Sequence, residues 1–190
     1  MTSHWPTFIH TSILEKSSDK NDVLLEVLKY RKSHESSLIT TNRRTWRSKE
    51  DVFVNYKEQT LFLKNKIQSI CESLNSSLLN FTGPMNLEGW FLDYGIGGYQ
   101  TPHTHPGSVW SGVYYLSVET KNVPPAKLRL YDPRVRNFLK SSHDNIVKVT
   151  PSSGLLVVFP SWLEHDTQIN KAENSRISIA FNVGHSKSGT

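Results

Sequence analysis

The 190-residue sequence predicts an α+β fold: a double-stranded β-helix (jelly-roll) core with N-terminal helices packed on one outer face. Three observations predict it. Helical spacing of apolar residues is confined to the N-terminal half, and the chain after Leu87 breaks into short strand-like runs separated by turn residues. No repeat of roughly 20 to 50 residues marks a solenoid or a propeller. Read as one domain, the chain divides into a helical support region over 1–84, a jelly-roll core over 85–183 and a tail over 184–190.

In chain order, Phe8, Ile9, Ile13 and Leu14 predict a short strand at the edge of the core. Ser17, Ser18 and Asp19 are candidate caps for a helix carrying Val23, Leu24, Val27 and Leu28, which dissolves in RKSHESS. Residues 35 to 50 show no period and are expected to form a loop or irregular arm. A second helix follows, because Leu63, Ile67, Ile70, Cys71 and Leu74 recur on one helical face. Cys71 on that face is expected to be a small core residue, and as the single cysteine it allows no internal disulfide and no thiolate zinc cluster.

After the turn signal Thr82-Gly83-Pro84, EGWFLDYGIGGYQ reads as a strand with glycine bends. VWSGVYYLSV, KLRLYD, IVKVTP, GLLVVFP and RISIAFNV complete the strand series. His185 and SKSGT read as a disordered tail.

The composition, 36% hydrophobic and 21% charged, is that of a soluble globular protein. A formal charge of +5 and a pI of about 9.3 allow a weak preference for anions, but acidic residues are interleaved, so nucleic acid is a minority reading centred on Arg43, Arg44, Arg47 and Lys49. The N-terminus lacks the pattern of a signal peptide and no apolar run is long enough to cross a bilayer. The expected location is the cytoplasm, or the host cytoplasm for a viral protein.

Chemistry concentrates between His103 and Arg176. His103 and His105 stand two apart before a strand, a spacing that sends both imidazoles to one face. His165 follows GLLVVFP after a kink at Pro160, and in a jelly roll two such strands can be neighbours at the barrel mouth. Three neutral imidazoles suit Fe(II), Zn(II) or Cu(II), and ligand type alone does not choose. Alternation along RISIAFN puts Arg176, Ser178 and Ala180 on one face and Ile177, Ile179 and Phe181 on the other. A buried Arg176 needs an anion, and its planar fork matches a carboxylate; the alternatives are an Arg reaching out of the barrel or paired with an internal acid.

HTHPGSVWSGVYYL, YDPR, FPSWLEH and RISIAFN together resemble the iron(II) and 2-oxoglutarate-dependent oxygenases, and more narrowly a 2OG-Fe(II) oxygenase group of marine bacteria and cyanophages. The resemblance covers residues 87 to 183, with TWRS the nearest shared element before them. It implies an oxidoreductase, a dioxygenase with Fe(II) as metal and 2-oxoglutarate and O2 as co-substrates. Its activity would couple oxidative decarboxylation of 2-oxoglutarate to C–H oxidation, with hydroxylation as the default outcome. His103 and His165 match iron ligands, and Arg176 with Ser178 matches the anchor of the far carboxylate. The chain departs from the pattern at the third ligand, where His105 replaces the expected Asp or Glu; Asp132 in YDPR and a two-histidine site are the alternatives.

Tyr94, Gln100, Tyr114 and Tyr115 are candidate donors to 2-oxoglutarate or substrate, or strand aromatics that simply pack. Trp110 and Trp162 are candidate pocket walls or barrel plugs, and Asp166 a candidate partner that orients His165. Arg134 and Arg136 are candidate contacts for an acidic substrate, or solvated surface. Substrate selectivity is assigned to loops at 35–50 and 133–145. A protein side chain, a free amino acid and, as the minority case, a nucleic-acid base all suit the scaffold. Two rivals belong to other classes: a cupin-like metalloprotein that does not use 2-oxoglutarate and would not need Arg176, and a non-catalytic binding module that would bind no iron at these histidines.

Overall fold

The computed structural model describes residues 6–15, 17–79, 83–119, 123–134 and 145–185. Thr82, Arg136, most of the 133–145 loop and the tail 186–190 lie outside them. The described strands form one curled antiparallel sheet: β1 (His10–Ile13), β2 (Asn42–Arg47), β3 (Met85–His103), β4 (Trp110–Ser117), β5 (Leu128–Tyr131), β6 (Ile146–Val149), β7 (Leu155–Pro160), β8 (His165–Thr167) and β9 (Arg176–His185). Their order is β1-β7-β4-β9-β3-β8-β5-β6, with β2 on the other edge of β3. This is the expected jelly-roll core with helices on one face.

Alternation sorts the sheet residues into two layers. Tyr114 and Leu116 on β4, Leu156 and Val158 on β7, and Ile179 and Phe181 on β9 meet α1 (Ser18–His34) and α3 (Lys57–Leu74) in one apolar cluster with Leu24, Leu28, Leu63, Ile67 and Cys71. Each fully buried Leu, Ile or Phe here contributes roughly 1.5–3 kcal/mol. Their neighbours Tyr115, Val157 and Phe159 face the barrel interior with Leu128 and Leu130. A short helix, α2 (Val52–Asn55), sets Phe53 against Gly89, where a Cβ would stand 2.3 Å from the ring.

β3 is the long element, and its bend positions the site. One of its edges pairs with β9 over Met85–Tyr94 and then with β8 at Gln100 and His103. Between the two partners the strand turns through Gly95–Gly98, where Gly97 has a φ of +78° that L side chains rarely adopt. Asn170 fastens the turn: its carbonyl accepts from Gly97 N–H (2.7 Å), its N–H donates to Gly98 O (2.8 Å), and its side chain donates to Tyr94 O (2.8 Å).

Three expectations need correction. Residues 42–47 are not a loop but β2, with a bulge at Arg44, whose φ is +47°. The strand escaped notice because its buried residues are polar: Asn42 satisfies itself on Leu38 O and Thr45 O, so no apolar alternation signals it. Its ladder pairing also removes this segment from the loop assigned as a lid. Ser17 occupies the cap position of α1 without a side-chain cap bond, because its backbone is helical (φ −92°, ψ −3°) rather than extended. His185 ends β9 opposite Met85 instead of opening the tail.

Candidate metal centre and anion pocket

His103 and His165 are direct register partners across β3 and β8, and their ring centroids lie 4.3 Å apart. His105 stands just beyond the strand, where its backbone N–H donates to Ser161 O (2.9 Å) and the hydroxyl of Ser161 ties the same loop through Ser108 O. Its Nε2 is 3.3 Å from Nε2 of His165. One potential ligand atom from each imidazole lies within 4.8 Å of the others. Two nitrogens bound at right angles to one ion at about 2.1 Å stand ~3 Å apart, so little movement is required to close on a metal.

Hydrogen bonds orient the ligand atoms. His103 Nδ1 faces Thr101 O at 2.7 Å and His165 Nδ1 faces Leu163 O at 2.8 Å. A carbonyl only accepts, so each Nδ1 carries the proton and each Nε2 keeps its lone pair for an ion. Burial lowers the pKa of all three. It holds His103 below its ordinary value against the pull of the Thr101 carbonyl and Asp166. Burial, then His103 and Arg47, bring His105 to about 4, and burial with the neighbouring His103 brings His165 to about 3. The three rings are therefore neutral at neutral pH, as ligation requires.

The pocket beside them has an empty volume of about 430 Å³, counting the part open to solvent, and Arg176, Ser178, Tyr94 and Tyr115 share its lining with the three histidines. Arg176 is 2% exposed, and no carboxylate among the described residues pairs with it. Its guanidinium carbon lies 4.0 Å from the Tyr94 ring centroid and 5.9 Å from that of Tyr115, and Nη1 donates to Ala126 O (2.6 Å). Its Nε is buried with no partner among the described residues. A buried cation with an unused donor at the wall of a pocket is the chemistry a carboxylate completes.

The family follows from this arrangement together with the sequence. A family model described as "Putative 2OG-Fe(II) oxygenase" matches residues 88–182, the stretch from β3 to β9 that builds the pocket. The chain belongs to the 2OG-Fe(II) oxygenase family. The oxygenase therefore belongs to enzymes that use Fe(II) with 2-oxoglutarate and O2. Among solved structures, a Pseudomonas putida prolyl-4-hydroxylase is similar with a TM-score of 0.72 and 17% identity over 94% of this chain and 92% of that one. A Trichoplax adhaerens prolyl hydroxylase, solved with a hypoxia-inducible-factor peptide, gives 0.70 and 18% over 96% and 87%. HygX from Streptomyces hygroscopicus, solved with nickel and 2-oxoglutarate, gives 0.70 and 15% over 95% and 84%. No curated protein matches the sequence.

Other candidates of the oxygenase lie elsewhere. Asp132 stands outside the histidine cluster, bound to Arg134 at 2.8 Å. Asp166 faces away from the metal centre, as alternation from His165 demands, and is held by Arg129 (2.6 Å) and the Tyr131 hydroxyl (2.8 Å). Tyr114 points to the helices and donates to Asn21 Oδ1 (2.8 Å), Trp110 donates to Asn75 Oδ1 (2.7 Å) on the same side, and Trp162 is exposed. Gln100 lines the pocket. Sequence reasoning missed Trp90 and Thr167, which also line it. Trp90 was detectable, because it shares the inward face of GWFLDY with Tyr94; Thr167 was not, since β8 is three residues long.

Proposed function

We propose that the chain is an Fe(II)- and 2-oxoglutarate-dependent hydroxylase in which His103, His105 and His165 hold the metal. Arg176, with Ser178, Tyr94 and Tyr115 around it, receives the distal carboxylate of 2-oxoglutarate. One observation carries the reading: three neutral imidazoles and a buried arginine with an unused Nε share one pocket. Bound Fe(II) supplies the oxidation, in which 2-oxoglutarate and O2 yield succinate and CO2 and one oxygen atom goes to a substrate C–H bond.

The protein's own part is positional. The Thr101 and Leu163 carbonyls fix two ligand imidazoles, the Tyr94 ring holds the Arg176 fork, and the apolar walls at Leu92, Val113 and Phe159 keep water from the reacting centre. His105 in place of a carboxylate leaves the metal one negative charge short, which weakens the hold on Fe(II) relative to a two-histidine, one-carboxylate set. The relatives named above were solved with a peptide in one case and, for HygX, with hygromycin B in another, so a protein side chain and a small molecule are both supported as substrate classes. No helix among the described residues is long and apolar enough to cross a membrane, and we place the protein in the cytoplasm, or that of a host.

The test is oxygen-dependent succinate formation by purified protein with Fe(II) and ascorbate. Wild type turns over 2-oxoglutarate, and His165→Ala and Arg176→Ala do not. Metal-dependent activity that survives Arg176→Ala points to the cupin-like alternative, and wild type that neither binds metal nor turns over sinks the enzyme reading.

A further inference from the structure

The pocket holds a second buried donor besides Arg176 Nε. Trp90 is 2% exposed and lines the pocket, and its indole Nε1 is buried without a partner among the described residues. An N–H left unpaired in the interior is costly, so its survival in a pocket wall marks a place that a ligand completes.

The two orphaned donors arise from different positions along one strand pair. Arg176 is the register partner of Tyr94, and Trp90 that of Ala180, four residues further along the same strand pair. At ~3.3 Å per residue these two register positions stand ~13 Å apart along the backbone ladder. Trp90 neighbours His105, with ring centroids 5.9 Å apart.

Its surroundings select the acceptor. The guanidinium carbon of Arg47 lies 4.6 Å from the Trp90 ring centroid, and Arg47 is 5% exposed, paired with Glu50, which is half in solvent. A cation over an indole face draws on the ring electrons and makes the N–H a stronger donor. The three-histidine set adds no carboxylate on this side. A charged acceptor gains most from such a donor, because hydrogen bonds to ionised groups are about twice as strong as neutral ones.

We propose that Trp90 positions the primary substrate: its Nε1–H donates to a carboxylate oxygen of a free amino acid bound on the His105 side of the metal centre. This rests on the oxygenase reading above and names the substrate class for the same pocket.

The test uses protein loaded with Zn(II), which is diamagnetic and redox-inert, and saturated with 2-oxoglutarate. Indole N–H resonances of 15N-labelled wild type are assigned by single Trp→Phe replacements, then followed on adding a pool of the twenty free L-amino acids or the same pool as amides. The acids are expected to move the Trp90 resonance saturably and the amides to leave it in place. In the Fe(II) assay, Trp90→Phe is expected to raise the KM of the stimulating amino acid at least tenfold, with the KM for 2-oxoglutarate within twofold. A resonance that the acids do not move, or that amides move equally, overturns the proposal, as does an unchanged amino-acid KM in Trp90→Phe. Failure of the oxygenase reading is seen separately, as absence of 2-oxoglutarate binding before any amino acid is added.

Discussion

Arg176 and Tyr94 are register partners across β9 and β3, and the guanidinium carbon lies 4.0 Å from the centroid of the phenol ring. Burial raises the Tyr94 hydroxyl to about 12 against the opposing effect of the Arg176 charge, so the phenol stays protonated over the working pH range. The ring is a flat, dry support that holds the arginine fork with its Nε unspent.

Removing that support is expected to weaken the co-substrate without removing a ligand to the metal. A desolvated cation–π contact contributes about 2 kcal/mol, so Tyr94→Leu should raise the KM for 2-oxoglutarate roughly tenfold to thirtyfold. Tyr94→Phe keeps the ring and should cost less. Steady-state succinate formation checks both.

His105→Asp supplies the carboxylate that the centre lacks, and Fe(II) affinity is expected to rise relative to wild type. Asp132→Ala, which alters a residue outside the cluster, should leave Fe(II) affinity unchanged. Competition with a coloured chelator reads both. A loss of metal in Asp132→Ala with none in His105→Ala would exchange the two roles.

The buried imidazoles also fix a pH dependence for the metal-free protein. His165 near 3 and His105 near 4 lie below the ordinary 6.5. Between those values the unfolded chain binds more protons than the folded one, so the stability they lend is present above about pH 6.5 and is lost as pH falls. The slope is up to ~1.4 kcal/mol per pH unit for each ring. Urea midpoints at pH 7, 6 and 5 should fall in wild type and fall less steeply in His165→Gln.

Gly112 is a packing test independent of chemistry. A Cβ there would stand 2.3 Å from both Phe181 Cζ and Val157 O, one of them backbone. Gly112→Ala is expected to destabilise by about 1–3 kcal/mol, seen as a lower unfolding midpoint.

The strand series of the C-terminal half was legible because its runs are apolar and bounded by Gly, Pro and Asn, and the helix of Leu63, Ile67 and Cys71 because its apolar face is periodic. β2 was not, since Asn42, Thr45 and Arg47 bury polar groups that satisfy one another or a neighbour, and hydrogen bonding leaves no hydrophobic period. The face shared by Arg176 and Ser178 was legible from local alternation, whereas His165 meets His103 through the register of β3 and β8, and His105 reaches them from just beyond the end of β3. Asp166 faces away from His165, as the opposite facing of adjacent strand residues leads one to expect, but its partners Arg129 and Tyr131 come from β5 and no local window names them. Trp90 and Arg47 gain their meaning only where β2 and β3 lie side by side, information that no local window contains.

The most direct test of the three-histidine and arginine arrangement is anaerobic titration of Fe(II)-loaded protein with 2-oxoglutarate, read by the visible charge-transfer absorption of the chelated metal. Wild type should saturate at one equivalent, Arg176→Ala should need roughly ten- to hundredfold more 2-oxoglutarate, and His165→Ala should give no band. A wild-type protein without the band, or variants that titrate as wild type does, would contradict the account.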